Sequence, residues 1–381
     1  MTRITHVNLG GASSAADGIG SVVESLRREQ GSRGEEVLVL GPGSGADRGS
    51  IGRTCSAAVR QLSAFGPDIV HFHSVFRPVH ALLAAWCRRS GLPYVVSPHS
   101  AFAAAALRRD PLRKRFWIRT VDGPMLHGAS GVICLTPQER TEVLDAVPGV
   151  GTHVVPNLVP GIERPVVRTR PASTRHARRQ RIVTLARYDV YQKGLDRISA
   201  VAALLPDVDF VVHGTFDGND PAGARELIRV SPPNLAFPGI VTGAEKSRVL
   251  AEADLYLQPS RWEGMSVAVL EAMRAGVPCA VSPEVALTLG DGAETVTVVP
   301  DEPGQAAESV TRLLGDPEMR CDHARDAQRW AERMTDPDHV IAALHQAYEL
   351  GETVPGRGRS NTRRSGAVST TTVRIERSPQ Q

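Results

Sequence analysis

Short apolar runs recur along the chain, separated by stretches whose apolar residues fall three and four apart. In the first half the runs are RITHVNL (3–9), EVLVL (36–40), DIVHF (68–72), YVVS (94–97), GVICL (131–135) and HVVP (153–156). In the second half they are IVTLA (182–186), DFVVH (209–213), NLAF (234–237), DLYLQ (254–258), PCAVS (278–282) and VTVV (296–299). Continuous apolar strands alternating with helices predict parallel sheets covered on both faces. Among the helical stretches, IGSVVESLRREQG (19–31) and HALLAAWCRRSG (80–91) each close on a glycine, a common helix stop.

The pattern stops and restarts once. A first domain spans 1–160. A linker at 161–181 is rich in Pro and Arg and lacks apolar periodicity. A second domain spans 182–335, followed by a closing helix at 336–351. The remaining residues, 352–381, carry six arginines and almost no large apolar side chain, which predicts a disordered tail. At 381 residues the chain is too long for one ordinary core and comfortable for two α/β domains. The expected architecture is two Rossmann-like, doubly wound parallel-sheet domains facing across a cleft, with a ligand at the C-terminal strand ends.

Charge changes the picture little. A net charge of +3 argues against a whole-surface nucleic-acid binder. Lysine is rare, however: Lys114, Lys193 and Lys246 stand alone among 44 basic residues, so each is worth following. The five cysteines (Cys55, Cys87, Cys134, Cys279, Cys321) show no CxxC and no His at ligand spacing, and read as core fillers in a reducing compartment. The N-terminus has no apolar leader, and no run of about 18 apolar residues occurs, so a cytoplasmic protein is expected. One segment, LRRDPLRKRFWIR (107–119), interleaves six cations with Leu112, Phe116, Trp117 and Ile118. Asp110 is placed to cap and Pro111 to open a helix there. Such an array suits peripheral contact with an anionic membrane or the phosphate of a lipid-linked acceptor. Alternatively Trp117, Val121 and Met125 turn inward and the arginines are merely solvated.

The segment richest in chemistry is ADLYLQPSRWEGMSVAVLEAMRAGVPCAVS (253–282). A strand leads through a polar loop into a helix that Ser266 can cap, and Gly264 lets backbone approach a ligand closely. The free N–H groups of that helix start favour an anion such as a diphosphate. Glu263 lies in the loop and Glu271 inside the helix. Eight positions apart, they suit two parts of an extended ligand better than one metal ion. Carboxylates accept from vicinal hydroxyls.

This stretch resembles the Glu-x7-Glu segment of the retaining GT-B glycosyltransferases of family 4. DGIG (17–20), DIVHFHS (68–74), VVSPHS (95–100), LTPQE (135–139), ARYDVYQKG (186–194) and FPGIV (237–241) agree in order. The resemblance covers roughly residues 3–350 and implies the GT-B fold, with the donor held mainly by the second domain. It implies Glu271 on the nucleotide ribose and Glu263 beside the donor sugar. The backbone of Gly264, Met265, Ser266 and Val267 would touch sugar and phosphate, and Arg187 and Lys193 the leaving diphosphate. It further implies His99 near the reacting carbon, Gly18 and Gly20 in a glycine loop over the donor, and Gly239, Ile240 and Val241 in the base pocket. Departures are Asp17-Gly18 in place of a glycine pair, and Asn157 followed by Leu-Val.

The activity so implied is retaining transfer of a hexosyl group from a nucleotide diphosphate sugar to a hydroxyl acceptor, in exopolysaccharide or lipid-linked glycan synthesis. Alternatives are a glycosyltransferase of secondary metabolism, a GT-B nucleotide-sugar epimerase, and a non-catalytic sugar-nucleotide binder. No cofactor is expected. LGGASSAADGIG lacks the GxGxxG register of a dinucleotide site, and no acidic residue ends the second strand. His71 and His73 share one strand face, but no third metal ligand is recognisable in the sequence, and no Asp-x-Asp segment is present.

Overall fold

A computed structural model describes residues 1–9, 18–41, 44, 50–108, 110–159, 179–216 and 220–349. The 352–381 tail and most of the 161–181 linker lie outside these residues.

Two six-stranded parallel sheets form, one per domain. The first holds β1 (Arg3–Val7), β2 (Glu36–Leu40), β3 (Ile69–His73), β4 (Tyr94–Ser97), β5 (Gly131–Cys134) and β6 (Thr152–Val154), ordered β2-β1-β3-β4-β5-β6. The second holds β7 (Arg181–Leu185), β8 (Asp209–His213), β9 (Leu235–Ala236), β10 (Leu255–Gln258), β11 (Cys279–Val281) and β12 (Thr297–Val298), ordered β12-β11-β10-β7-β8-β9. All twelve predicted strands are present, displaced by a residue or two at their ends. The second sheet has the strand order of a dinucleotide-binding fold, reversing direction between β7 and β10; the first reverses between β1 and β3. Ligand crevices open at such reversals because neighbouring connections depart to opposite faces.

The central strands of the first sheet, β3, β4 and β5, have no exposed residue, as a parallel sheet covered on both faces requires. Val7, Phe72, Val96 and Cys134 carry one face of the first core, and Ile182, Phe210, Leu255 and Ala280 one face of the second. Three local expectations need correction. The first helix runs through Gly31 to Ser32, and the positive φ falls at Gly34, whereas Gly91 does end its helix in the left-handed region. Asp110 occupies the cap position ahead of helix Pro111–Trp117, but with φ of 59° and no capping side-chain bond. The strand that opens the second domain takes in Arg181, the last residue assigned to the linker.

The closing helix, Pro337–Glu349, returns to the first domain. Its Val340, Ile341 and Leu344 pack with Ile4, Val22 and Leu26. Burial of each such side chain contributes roughly 1.5–3 kcal/mol, so this helix straps the two domains together. No described helix is long and apolar enough to cross a membrane.

Candidate active site

The second domain presents two loops side by side where its sheet reverses. Residues after β7 carry Arg187 and Lys193, and residues after β10 carry Arg261, Glu263 and Gly264. Sequence distance hides this neighbourhood; the β7–β10 pairing creates it. The loops are then stitched together. Arg261 N donates to Gln192 O (2.8 Å), and the Arg261 guanidinium grips Asp196 through two bonds of 2.9 and 2.6 Å. Gly194, at φ +67°, passes so close that a Cβ there would lie 2.2 Å from Pro259 O. Only glycine allows that contact.

Between the loops Lys193 Nζ donates to Glu263 Oε1 at 2.6 Å, and Gln258 Nε2 donates to the same oxygen at 2.8 Å. Both partners are largely enclosed, Lys193 at 14% and Glu263 at 9% side-chain exposure. Gln258 also donates to Ser266 Oγ (2.9 Å), and Ser266 caps helix Val267–Arg274 by accepting from Val269 N. The expected helix start is therefore formed, and its first residues, Val267 and Ala268, line the cleft. Arg187 donates to Gln192 Oε1 at 3.2 Å.

Glu271 sits on the inner side of that helix and accepts from Lys246 Nζ, which reaches across from helix Gly243–Glu252. Burial raises the Glu271 pKa, and the Lys246 charge opposes the rise. Lys246 borders the groove and was left unassigned by motif reading; its rarity in so arginine-rich a chain was the signal. His213 and Thr242, beside it, carried no signal at all.

These groups line one continuous groove. One reach is bounded by Glu271, Lys246, His213, Ile240, Val241 and Thr242. The other is bounded by His99, Ser100, Lys193, Glu263, Met265 and Ser266. Gly18, Arg187 and Val267 border both. Gly239, next to Ile240, accepts from Gly214 N and lies within hydrogen-bond distance of His213 Nδ1 through its carbonyl. Gly18 and Gly20 lie in the first turn of helix Gly18–Ser32 rather than in a loop, and residues 10–17 lie outside those described. Of the two, Gly18 borders the groove.

The first domain contributes the opposite wall. His99 and Ser100 follow β4 with φ of 53° and 58°, a left-handed pair that non-glycine residues rarely adopt. Glu139 holds the turn by accepting from Ser100 N and, at 2.6 Å, from Leu135 N. Its burial pushes the carboxyl pKa up to about 7, against two backbone N–H bonds that favour the ionised form. Across the gap, a Cβ on Gly264 would come within 2.6 Å of Ser100 Oγ. Asn157 Nδ2 donates to Met265 O (3.1 Å), a second bridge between the domains.

The missing third imidazole beside His71 and His73 is His6 on β1, set opposite His71 by the strand register. All six ring nitrogens of the three are within hydrogen-bond distance of Gln30, Tyr348, Ser97, His99 or one another. The cluster is thus a saturated hydrogen-bond network.

Comparison with known proteins places these features in a family. Residues 49–158 match the glycosyl transferase 4-like domain, and residues 179–316 match glycosyl transferases group 1. A 235-residue stretch is 26% identical to the UDP-Gal:alpha-D-GlcNAc-diphosphoundecaprenol alpha-1,3-galactosyltransferase of Escherichia coli, covering 56% of this chain and 57% of that enzyme. The sucrose-phosphate synthase of Thermosynechococcus elongatus superposes with a TM-score of 0.75 at 17% identity, over 92% of this chain and 98% of that one. HepE of Anabaena, solved with UDP-glucose, gives 0.69 at 16% identity, over 93% and 100%. Two family matches, one on each domain and in this order, together with the shared fold, show that the chain belongs to the GT-B glycosyltransferases.

Proposed function

We propose that the protein transfers a hexosyl group from a nucleoside diphosphate sugar to a hydroxyl acceptor with retention of anomeric configuration, as in the family 4 enzymes. The observation that carries this reading is the groove itself. One wall offers a carboxylate at each end, Glu271 and Glu263, with Arg187 bordering both reaches and Lys193 beside Glu263. Glu271 takes the ribose hydroxyls in exchange for Lys246, and Glu263 orients a hydroxyl of the sugar. The diphosphate lies over the start of helix Val267–Arg274, where N–H groups, Arg187 and Lys193 stabilise the charge that develops on it.

The acceptor oxygen bonds to the anomeric carbon on the face from which the diphosphate departs. The bond from that carbon to the phosphate oxygen breaks, and the acceptor proton passes to the leaving oxygen. Arginine and lysine favour such a loose displacement because they meet the departing charge directly. The carboxylates bordering the groove, Glu263 and Glu271, are each held by a lysine. Both are therefore better suited to binding than to nucleophilic attack.

On the acceptor side, helix Pro111–Trp117 leaves Leu112 81% and Phe116 67% exposed, one helical turn apart, with Arg113 and Arg115 beside them. Met125 is buried, and Trp117 and Val121 are half-buried. An exposed apolar pair among cations suits an anionic membrane surface and a lipid-linked acceptor, a role in exopolysaccharide or lipid-linked glycan synthesis. Vesicle co-sedimentation tests this: binding to anionic vesicles should weaken with salt and with joint neutralisation of Arg113 and Arg115. No binding would leave a water-soluble acceptor.

The reaction is tested by incubating the protein with UDP-, GDP- and dTDP-sugars and a panel of hydroxyl acceptors, reading products by NMR. UDP-sugars come first, since HepE was solved with UDP-glucose and the Escherichia coli relative is named for UDP-galactose. A glycoside with the donor's anomeric configuration supports the reading. An inverted product, or an epimerised sugar without transfer, overturns it.

A further inference from the structure

Beneath the reacting end of the groove runs a line of hydrogen-bonded side chains. Strand register sets it up: β1 pairs with β3, placing His6 opposite His71, and β3 pairs with β4, placing His73 opposite Ser97. His71 and His73, two apart, share a face and stack with ring centroids 4.0 Å apart. His6 and His73 are at most 1% exposed.

The line starts at Gln30 in the first helix. Its amide oxygen lies 2.8 Å from His6 Nε2. His6 Nδ1 lies 2.9 Å from His73 Nε2, and His73 Nδ1 lies 3.1 Å from His99 Nε2. An amide oxygen only accepts, so His6 Nε2 carries the hydrogen. Burial holds these rings neutral: the His6 and His99 pKa values are pushed down to about 4, and that of His73 well below the ordinary imidazole value. A neutral imidazole has one donor and one acceptor nitrogen. His6 Nδ1 therefore accepts from His73 Nε2–H, and His73 Nδ1 from His99 Nε2–H. What remains on His99 is Nδ1 with its lone pair, which no described residue engages, on a ring that borders the groove.

We propose that Gln30, His6 and His73 are positioning residues that lock His99 as its Nε2–H tautomer, so that Nδ1 stands as a fixed hydrogen-bond acceptor for a hydroxyl of the donor sugar. The sugar contact rests on the function proposed above; the locked tautomer does not. An unlocked His99 would divide between two tautomers, one of which presents an N–H in place of the acceptor, so that the bond to the hydroxyl loses its fixed direction. The left-handed backbone at His99 fits the same purpose, since strain of this kind is retained where position matters.

The test has two arms. In the wild-type protein, two-bond 15N–1H correlation of the imidazoles, with His99 assigned by His99→Gln, should show a single Nε2–H form from pH 6.5 to 8 without any ligand. An Nδ1–H form or a mixture overturns the proposal, and this holds whether or not the protein proves to be a transferase. In the second arm, His73→Phe keeps the ring volume but removes the acceptor, and His73→Asn restores an acceptor oxygen near the Nδ1 position. His73→Phe should mix the His99 tautomers and weaken sugar-donor binding about tenfold while sparing the free nucleotide. His73→Asn should regain most of the loss. Unchanged tautomer and unchanged donor affinity in His73→Phe would overturn the proposal. If neither variant folds, the wild-type spectrum decides alone.

Discussion

Lys193 Nζ stands 2.6 Å from Glu263 Oε1, joining the loop after β7 to the loop after β10. The cation assigned to the departing diphosphate is thus engaged by the carboxylate assigned to the sugar. Lys193→Ala should accordingly do two things. Turnover should fall about a hundredfold, the effect of removing one preorganised charge contact. Stability should fall by roughly 3 kcal/mol, because Glu263 is left charged and enclosed. The double variant with Glu263→Gln should recover most of the stability and none of the turnover. Urea unfolding beside steady-state kinetics checks both; a double variant no more stable than Lys193→Ala would show that the pair is not coupled.

The two carboxylates are expected to separate by ligand. Glu271→Ala should weaken the intact donor and the free nucleoside diphosphate alike, about tenfold, from the loss of hydrogen bonds to ribose. Glu263→Ala should weaken the donor and leave the free nucleotide unchanged. Calorimetric titration with both ligands decides; equal losses for both variants on both ligands would remove this division of labour.

Gly264 faces Ser100 across the groove, and an added Cβ would stand 2.6 Å from Ser100 Oγ. Gly264→Ala should therefore hold the domains apart, raising the donor KM at least tenfold with little change in Tm. Ser100→Gly removes the obstructing side chain and also suits the φ of 58°. The double variant should bind donor better than Gly264→Ala alone. If Ser100→Gly brings no recovery, the close approach is not what limits the site.

Five histidines of the first domain give the protein an acid limit. Burial pushes the pKa values of His6, His80 and His99 down to about 4, and holds those of His71 and His73 well below the ordinary imidazole value. The unfolded chain binds these protons at about pH 6.5. Folded-state values are depressed, so their contribution is fully present above pH 6.5 and is lost as pH falls from 6.5 through 4. Each of the five shifts acts in the same direction, so together they make one acid-side loss of stability. Unfolding free energy measured at pH 7.5 and 5.5 should fall steeply. A flat profile across that interval would mean the rings are protonated in the folded state as well.

What the sequence determined by itself was set by local pattern. Apolar runs such as GVICL and YVVS have no polar face to leave in water, so they must lie inside a parallel sheet, and alternation with helices then dictates two doubly wound domains. Ser266 could be read as a cap because capping is a three-residue affair. Arg187, Lys193, Glu263 and Glu271 were legible only because several motifs occurred in one order. The rest belongs to tertiary structure. No local rule places Lys246 on Glu271, since the two meet across separate helices of the second domain. Nor does any spacing reveal His6 as the partner of His73, 67 residues away, a contact fixed by the β1–β3 register. The closing helix is amphipathic in sequence, but that its apolar face lies on Ile4 and Val22 of the other domain depends on where the chain returns. Pattern decides which faces must be buried; only the packed chain decides against what.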